Sequence, residues 1–190
     1  MNRQNRGQRP RQMPTGNVVL CACIMLVAGF LLGVAVKWLD LNSEFLGNLF
    51  SRIMIWFVLC TAIAVHSRTP TCAAVNVFAF CAGMLAAYYL AAVWWQAVWG
   101  RTFMYGWIAF SLCSPLLAYF TWYAKRKDGF ALFLKVGILV ISLAVETILF
   151  GFRMYNLLLV LLLACVLFCS QSLSRNIVVL PYKAKVIFYL

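Results

Sequence analysis

Of the four acidic residues in this chain of 190, Asp40, Glu44, Asp128 and Glu146, only Glu146 lies inside an uninterrupted apolar run. A carboxylate in hydrocarbon costs several kcal/mol unless it is paired, protonated or wetted. Glu146 is therefore the first residue to ask for chemistry, either as half of an ion pair joining two helices or as a contact for a ligand or ion. On a helix advancing about 100° per residue, Lys135, Ser142 and Glu146 fall within about 40° of one another, a polar stripe that should face protein. Lys135 lies about 16 Å from Glu146 along such a helix, too far to pair, and its stem can snorkel to the nearer surface. Arg153, seven residues on and on about the same face, is the expected partner of Glu146, with Arg101 and Arg52 as alternates.

The remaining reactive types do not assemble into a recognisable centre. All eight cysteines lie in or at the edge of apolar segments, where a thiol is a small hydrophobe. Cys165 and Cys169 are one helical turn apart, but the sole histidine, His66, falls in a connection, so no metal site or other cofactor is expected. Intramembrane hydrolases need a His pair, a Ser/His arrangement or an Asp pair, and lipid-head transferases need clustered acids. These are lacking, which argues against an enzyme. Two spacings bear on packing instead. Gly29 and Gly33 form a GxxxG pair, and Ala79, Gly83 and Ala87 form a comparable small face, both suited to close approach of backbones within the chain or of a partner protein to the first helix. Ser114-Pro115 should interrupt a helix, with Ser111 or Ser114 able to satisfy the freed carbonyl. Asn76, Tyr88 and Tyr89 are candidates for interhelical hydrogen bonds or a cavity wall.

Composition settles which elements must position these residues. With 65% hydrophobic and 11% charged side chains, the chain cannot cover a soluble globule with a wettable surface. Its lysines and arginines sit at the ends of apolar runs, a pattern of membrane orientation and not of nucleic-acid binding, so the partner is a bilayer. Residues 1–17 are polar, carry four arginines and read as a disordered basic tail. Residues 18–170 contain six apolar runs, about 18–36, 46–65, 71–95, 102–124, 130–150 and 154–170. The fold is therefore an all-α polytopic bundle of about six transmembrane helices. Thr69-Pro70 supplies a cap and first-turn proline for the third. Residues 171–190, with Pro181, Lys183 and Lys185, are too short and charged to span and are expected at the interface.

With the N terminus inside, the inner segments hold the four tail arginines, Arg68, Lys125, Arg126, Lys127, Arg175, Lys183 and Lys185, eleven in all; the outer ones hold Lys37, Arg52, Arg101 and Arg153. That bias places both termini in the cytoplasm, facing anionic lipid headgroups at the inner surface, in a plasma membrane of bacterial inner-membrane type. Trp38, Trp94, Trp95, Trp99 and Trp107 near outer ends, and Trp122 near an inner one, fit the headgroup preference of indole.

His66-Ser67-Arg68-Thr69-Pro70, the small residues that follow to Tyr88-Tyr89, and Glu146 together resemble small uncharacterised bacterial multi-pass membrane proteins, a likeness that implies no activity. The chain is also similar in size and helix number to the substrate-binding subunits of energy-coupling-factor vitamin transporters. Those subunits dock their transport module through a small-xxx-small face on the first helix, which Gly29 and Gly33 would match. The expected function is a structural or accessory membrane protein. The alternative is a solute-binding transporter subunit with an outward-facing pocket near Glu146.

Overall fold

The computed structural model describes residues 15–97, 100–126, 128–151 and 154–179. These form seven helices: α1 (Thr15–Asn42), α2 (Glu44–Phe50), α3 (Ile53–His66), α4 (Pro70–Trp94), α5 (Arg101–Tyr123), α6 (Gly129–Phe150) and α7 (Met154–Val179), with no strand among the described residues. Four of them, α1, α4, α5 and α6, are long and apolar enough to cross a membrane. The α2 and α3 pair, bent by 57° at its break, would make a fifth, and the apolar part of α7, Met154–Cys169, is shorter.

Burial runs opposite to that of a soluble protein. Leu20, Leu31, Leu90, Ile148 and Leu158 are exposed, whereas Lys135, Ser142, Glu146 and Asn156 are among the most buried residues. Large apolar groups outside and polar groups inside is the arrangement lipid selects, because hydrocarbon satisfies a leucine and cannot satisfy a carboxylate. This is a helical membrane protein.

The most extensive interface joins α1 to α4. A Cβ at Gly29 would overlap the carbonyl oxygen of Phe80, one at Gly33 that of Met84, and one at Gly83 that of Leu26. Glycine at all three positions therefore lets the two backbones touch, and with no hydrophobic drive between helices in lipid such van der Waals contact is what joins them. The face that a transporter partner would use is thus already covered by α4 of the same chain. A partner docking on Gly29 and Gly33 would have to displace that helix.

Helix α3, only 14 residues long, touches α2, α4, α5, α6 and α7. Met54, Trp56, Thr61, Ala64 and Val65 on it are buried, and it is the axis of the bundle. At α4 the capping expectation is met: Thr69 is extended, its Oγ1 accepts from the Cys72 N–H at 3.1 Å, and Pro70 occupies the first turn. Within α5, the carbonyl that Pro115 leaves without its helical donor, that of Ser111, accepts from Ser114 Oγ at 2.8 Å.

Three boundaries depart from the sequence reading. The second apolar run is not one helix: Ser51 and Arg52 separate α2 from α3, with Arg52 extended at φ −86°, ψ 135°. A continuous helix would carry the guanidinium wherever its face pointed; the break lets it turn inward. Helix α1 runs six residues past Val36 to Asn42, as Lys37 and Asp40 find partners on and beyond it. Helix α7 continues to Val179, nine residues past the expected start of a tail, while residues 1–14 and 180–190 lie outside the described residues.

Candidate functional site

Two polar constellations occupy one end of the bundle. The first is built on Glu146, which is completely buried in the last turn of α6. Its Oε1 accepts from Arg52 Nη1 at 3.2 Å, and its Oε2 accepts from the backbone N–H of Met54 at 3.1 Å. Met54 is the second residue of α3, whose cap position is filled by Arg52, a side chain that only donates and makes no cap hydrogen bond. The acceptor that α3 lacks at its N-terminus is thus supplied by α6. An anion at that position also meets the positive end of the α3 dipole. The guanidinium lies 4.6 Å from the ring centre of Tyr155 and 5.3 Å from that of Phe150, so aromatic faces cover what the carboxylate leaves.

Among the described residues the partner of Glu146 is therefore Arg52, one of the alternates. The seven-residue spacing to Arg153 assumed a helix that continues, but α6 ends at Gly151, whose φ of +76° no other residue type adopts readily. Arg153 itself lies outside the described residues. Arg101 opens α5 and is exposed, away from the carboxylate. Glu146 has both oxygens engaged inside the chain, and an apolar opening lined by Ile53, Leu149 and Phe150 lies within about one helical turn of it along α6.

The second constellation contains Tyr88 and Tyr89, candidates for a cavity wall or interhelical hydrogen bonds, together with Lys37 and Asp40, for which the sequence suggests no site. Lys37 Nζ lies 2.8 Å from Asp40 Oδ2 and 4.9 Å above the Tyr88 ring, and Tyr88 OH donates to the same Oδ2 at 2.9 Å. The i,i+3 spacing of Lys37 and Asp40 at the end of an apolar run was the signal, and it was read only as an orientation marker. The other oxygen, Oδ1, accepts no hydrogen bond among the described residues, and a Cβ on Gly47 would come within 2.7 Å of it. Asp40 lines a cavity of about 40 Å³ together with Phe50, Trp56, Tyr88, Tyr89 and Trp107. Helix α2 closes this cavity through Gly47, Phe50 and Ser51. Trp107 stacks edge-on against Trp56 with ring centres 6.0 Å apart, and Trp56 Nε1 donates to the Phe50 carbonyl at 2.9 Å, fixing the aromatic wall. A carboxylate oxygen with an open lone pair beside several ring faces can receive a small donor-bearing or cationic group.

Two further openings are apolar: one of about 400 Å³ between Ile53, Phe103, Gly106 and Phe150, and one of about 290 Å³ between α3, α5 and α6. Among the described residues no three of His, Cys, Asp and Glu gather to hold a metal ion. Lys135 is buried with its ammonium 4.7 Å above the Phe168 ring. Ile138 and Leu139 pack with Leu163 in one apolar cluster, and buried Ser142 lies on α6 between the two charges.

No family matches this chain, and none of the curated proteins or solved structures does.

Proposed function

We propose that this is a six-span protein of the plasma membrane, with both ends cytoplasmic, that binds a small donor-bearing solute beneath α2 at its outer end. The bent α2 and α3 pair counts as one span and α7 as the sixth. The eleven-to-four division of basic residues supports the orientation, and by it Asp40, Arg52 and Glu146 all face the outer side. The observation that carries the solute site is the open oxygen of Asp40 on an aromatic wall closed by a seven-residue helix. A primary amine of a few heavy atoms fits that chemistry, and α2, held by a Ser43 cap at one end and the Arg52 break at the other, is the element that would move to admit it.

The test is ligand-dependent stabilisation and native mass spectrometry of the purified protein with small primary amines and amino acids. A single Asp40→Asn would strand the Lys37 ammonium, so the informative variant is Lys37→Met with Asp40→Asn, which removes both charges together. Wild type should be stabilised by an amine and the double variant should not. Equal stabilisation of both would remove Asp40 from the site.

A structural or accessory role is the second reading, favoured by the fact that Glu146 and Arg52 satisfy each other inside the chain. No stabilisation by any amine, together with a protein that copurifies from native membranes, would support it instead.

A further inference from the structure

The opening between α5 and α6 points to a lipid. The two helices are joined by a short turn, so they must start side by side, yet beyond it they touch little and α3 forms the floor between them. The result is a groove of about 290 Å³ walled by Phe57, Phe110, Leu117, Phe133, Gly137 and Ile141. Its length follows from its lining on α5: from Phe110 to Thr121 a helix rises about 16 Å, close to the roughly 15 Å of one hydrocarbon leaflet. A single hydrocarbon chain matches that length and the apolar lining.

Charge fixes which chain. The groove runs from mid-depth toward the α5–α6 turn, where the sequence reads Lys-Arg-Lys-Asp from Lys125 to Asp128. Arg126 is exposed there, 3.5 Å from Asp128, while the neighbouring Lys125 turns its ammonium to the Ser67 carbonyl. A lipid whose acyl chain fills the groove would carry its phosphate at the level of this basic turn.

We propose that the α5–α6 groove binds one acyl chain of an anionic phospholipid from the leaflet at this end, with its phosphate held by Arg126. This goes beyond the solute site, which lies at the opposite end and shares no residue with it.

Native mass spectrometry of the full chain, loaded separately with phosphatidylglycerol and phosphatidylcholine of identical acyl chains, tests it. Wild type should retain one phosphatidylglycerol more strongly than phosphatidylcholine, by about fivefold for each basic group engaged. Gly137→Phe should plug the groove, because a Cβ there meets no atom within 4 Å, and should abolish retention of both lipids without lowering the melting temperature. Should Gly137→Phe fail to fold, Gly137→Leu fills less of the same space. Arg126→Glu, on the exposed turn, should bring phosphatidylglycerol down to the phosphatidylcholine level. Equal retention of the two lipids by wild type, undiminished retention in the Gly137 variants, or a dimer that disappears in those variants would each overturn the proposal, the last by showing a second copy in the groove.

Discussion

The α1 and α4 seam and the two ends of α3 solve the same problem by opposite means. Neither can rely on hydrophobic association, since lipid is as apolar as leucine. Along α1 and α4 the answer is absence: Gly29, Gly33 and Gly83 remove the side chains that would hold the backbones apart. At α3 the answer is presence. Its N-terminus receives a carboxylate from α6, and its C-cap carbonyl, that of Ser67, accepts from Trp122 Nε1 at 2.9 Å and from Lys125 Nζ at 3.0 Å, both from the end of α5. Anion at the positive end and cation at the negative end complement the helix dipole. A helix of 14 residues is too short to carry both its ends to the membrane surfaces, so its unsatisfied backbone groups must be met by neighbours. The longer α1 and α4 have no such need.

The largest effect should come from the seam. Gly29→Ala and Gly33→Ala each place a Cβ on a carbonyl oxygen of α4 and should cost about 3 kcal/mol apiece. Once one Cβ has forced the helices apart the second meets less resistance, so the double variant should cost about 4 kcal/mol and not the sum. Reversible unfolding in mixed micelles measures all three. Strict additivity would mean that the helices give way locally and do not separate as bodies.

Next in size is the capped N-terminus of α3. Glu146→Gln keeps an acceptor for the Met54 N–H but leaves the Arg52 guanidinium buried without its counter-charge, at a cost of about 3 kcal/mol or slightly less. Adding Arg52→Met should restore at least half of that loss, because the ion pair is then removed whole while the cap remains. Glu146→Leu with Arg52→Met loses the cap too and should stay about 1 kcal/mol below the glutamine pair. If the two double variants are equally stable, the contact to Met54 adds nothing and the comparison with the seam fails at that end.

These two devices differ in how far they can be read from sequence. A GxxxG spacing is local: four positions on one helix announce a close contact, though not that α4 is the partner. The polar stripe of Lys135, Ser142 and Glu146 was local too, and all three are buried. The partner of Glu146 was not, because Arg52 is 94 residues away; Ser51 and Arg52 interrupt the apolar run of residues 46–65, but nothing local says that the guanidinium turns inward to α6. The α6 face does not extend to Arg153, because the helix stops at Gly151. Asp40 was overlooked because at the end of an apolar run a Lys and an Asp look like ordinary interfacial charges; what makes them a site is Tyr88, brought from 48 residues away by the glycine seam.

The smallest effect is expected at the other end of α3, where Lys125 sits in the α5–α6 turn. Burial pushes its ammonium down to about 8, below the value of about 10.4 in an unfolded chain. The unfolded state then binds the proton more tightly, so folding is favoured as pH rises from about 8 toward 10.4, and little changes below 8, where both states are charged. Its hydrogen bond to Ser67 and its position 4.1 Å above the Trp122 ring oppose the burial cost, and the half-exposed side chain keeps the net slope shallow. Lys125→Met should remove that rise, so that wild type gains stability relative to the variant between pH 8 and pH 10 and not between pH 6 and pH 7.5. Trp122→Phe, which deletes the other donor to the same carbonyl, should cost about 1 kcal/mol at neutral pH. A combined loss smaller than the sum would show that the two donors serve the α3 end as one unit, whereas a simple sum would make them independent contacts and leave the dipole argument to Glu146 alone.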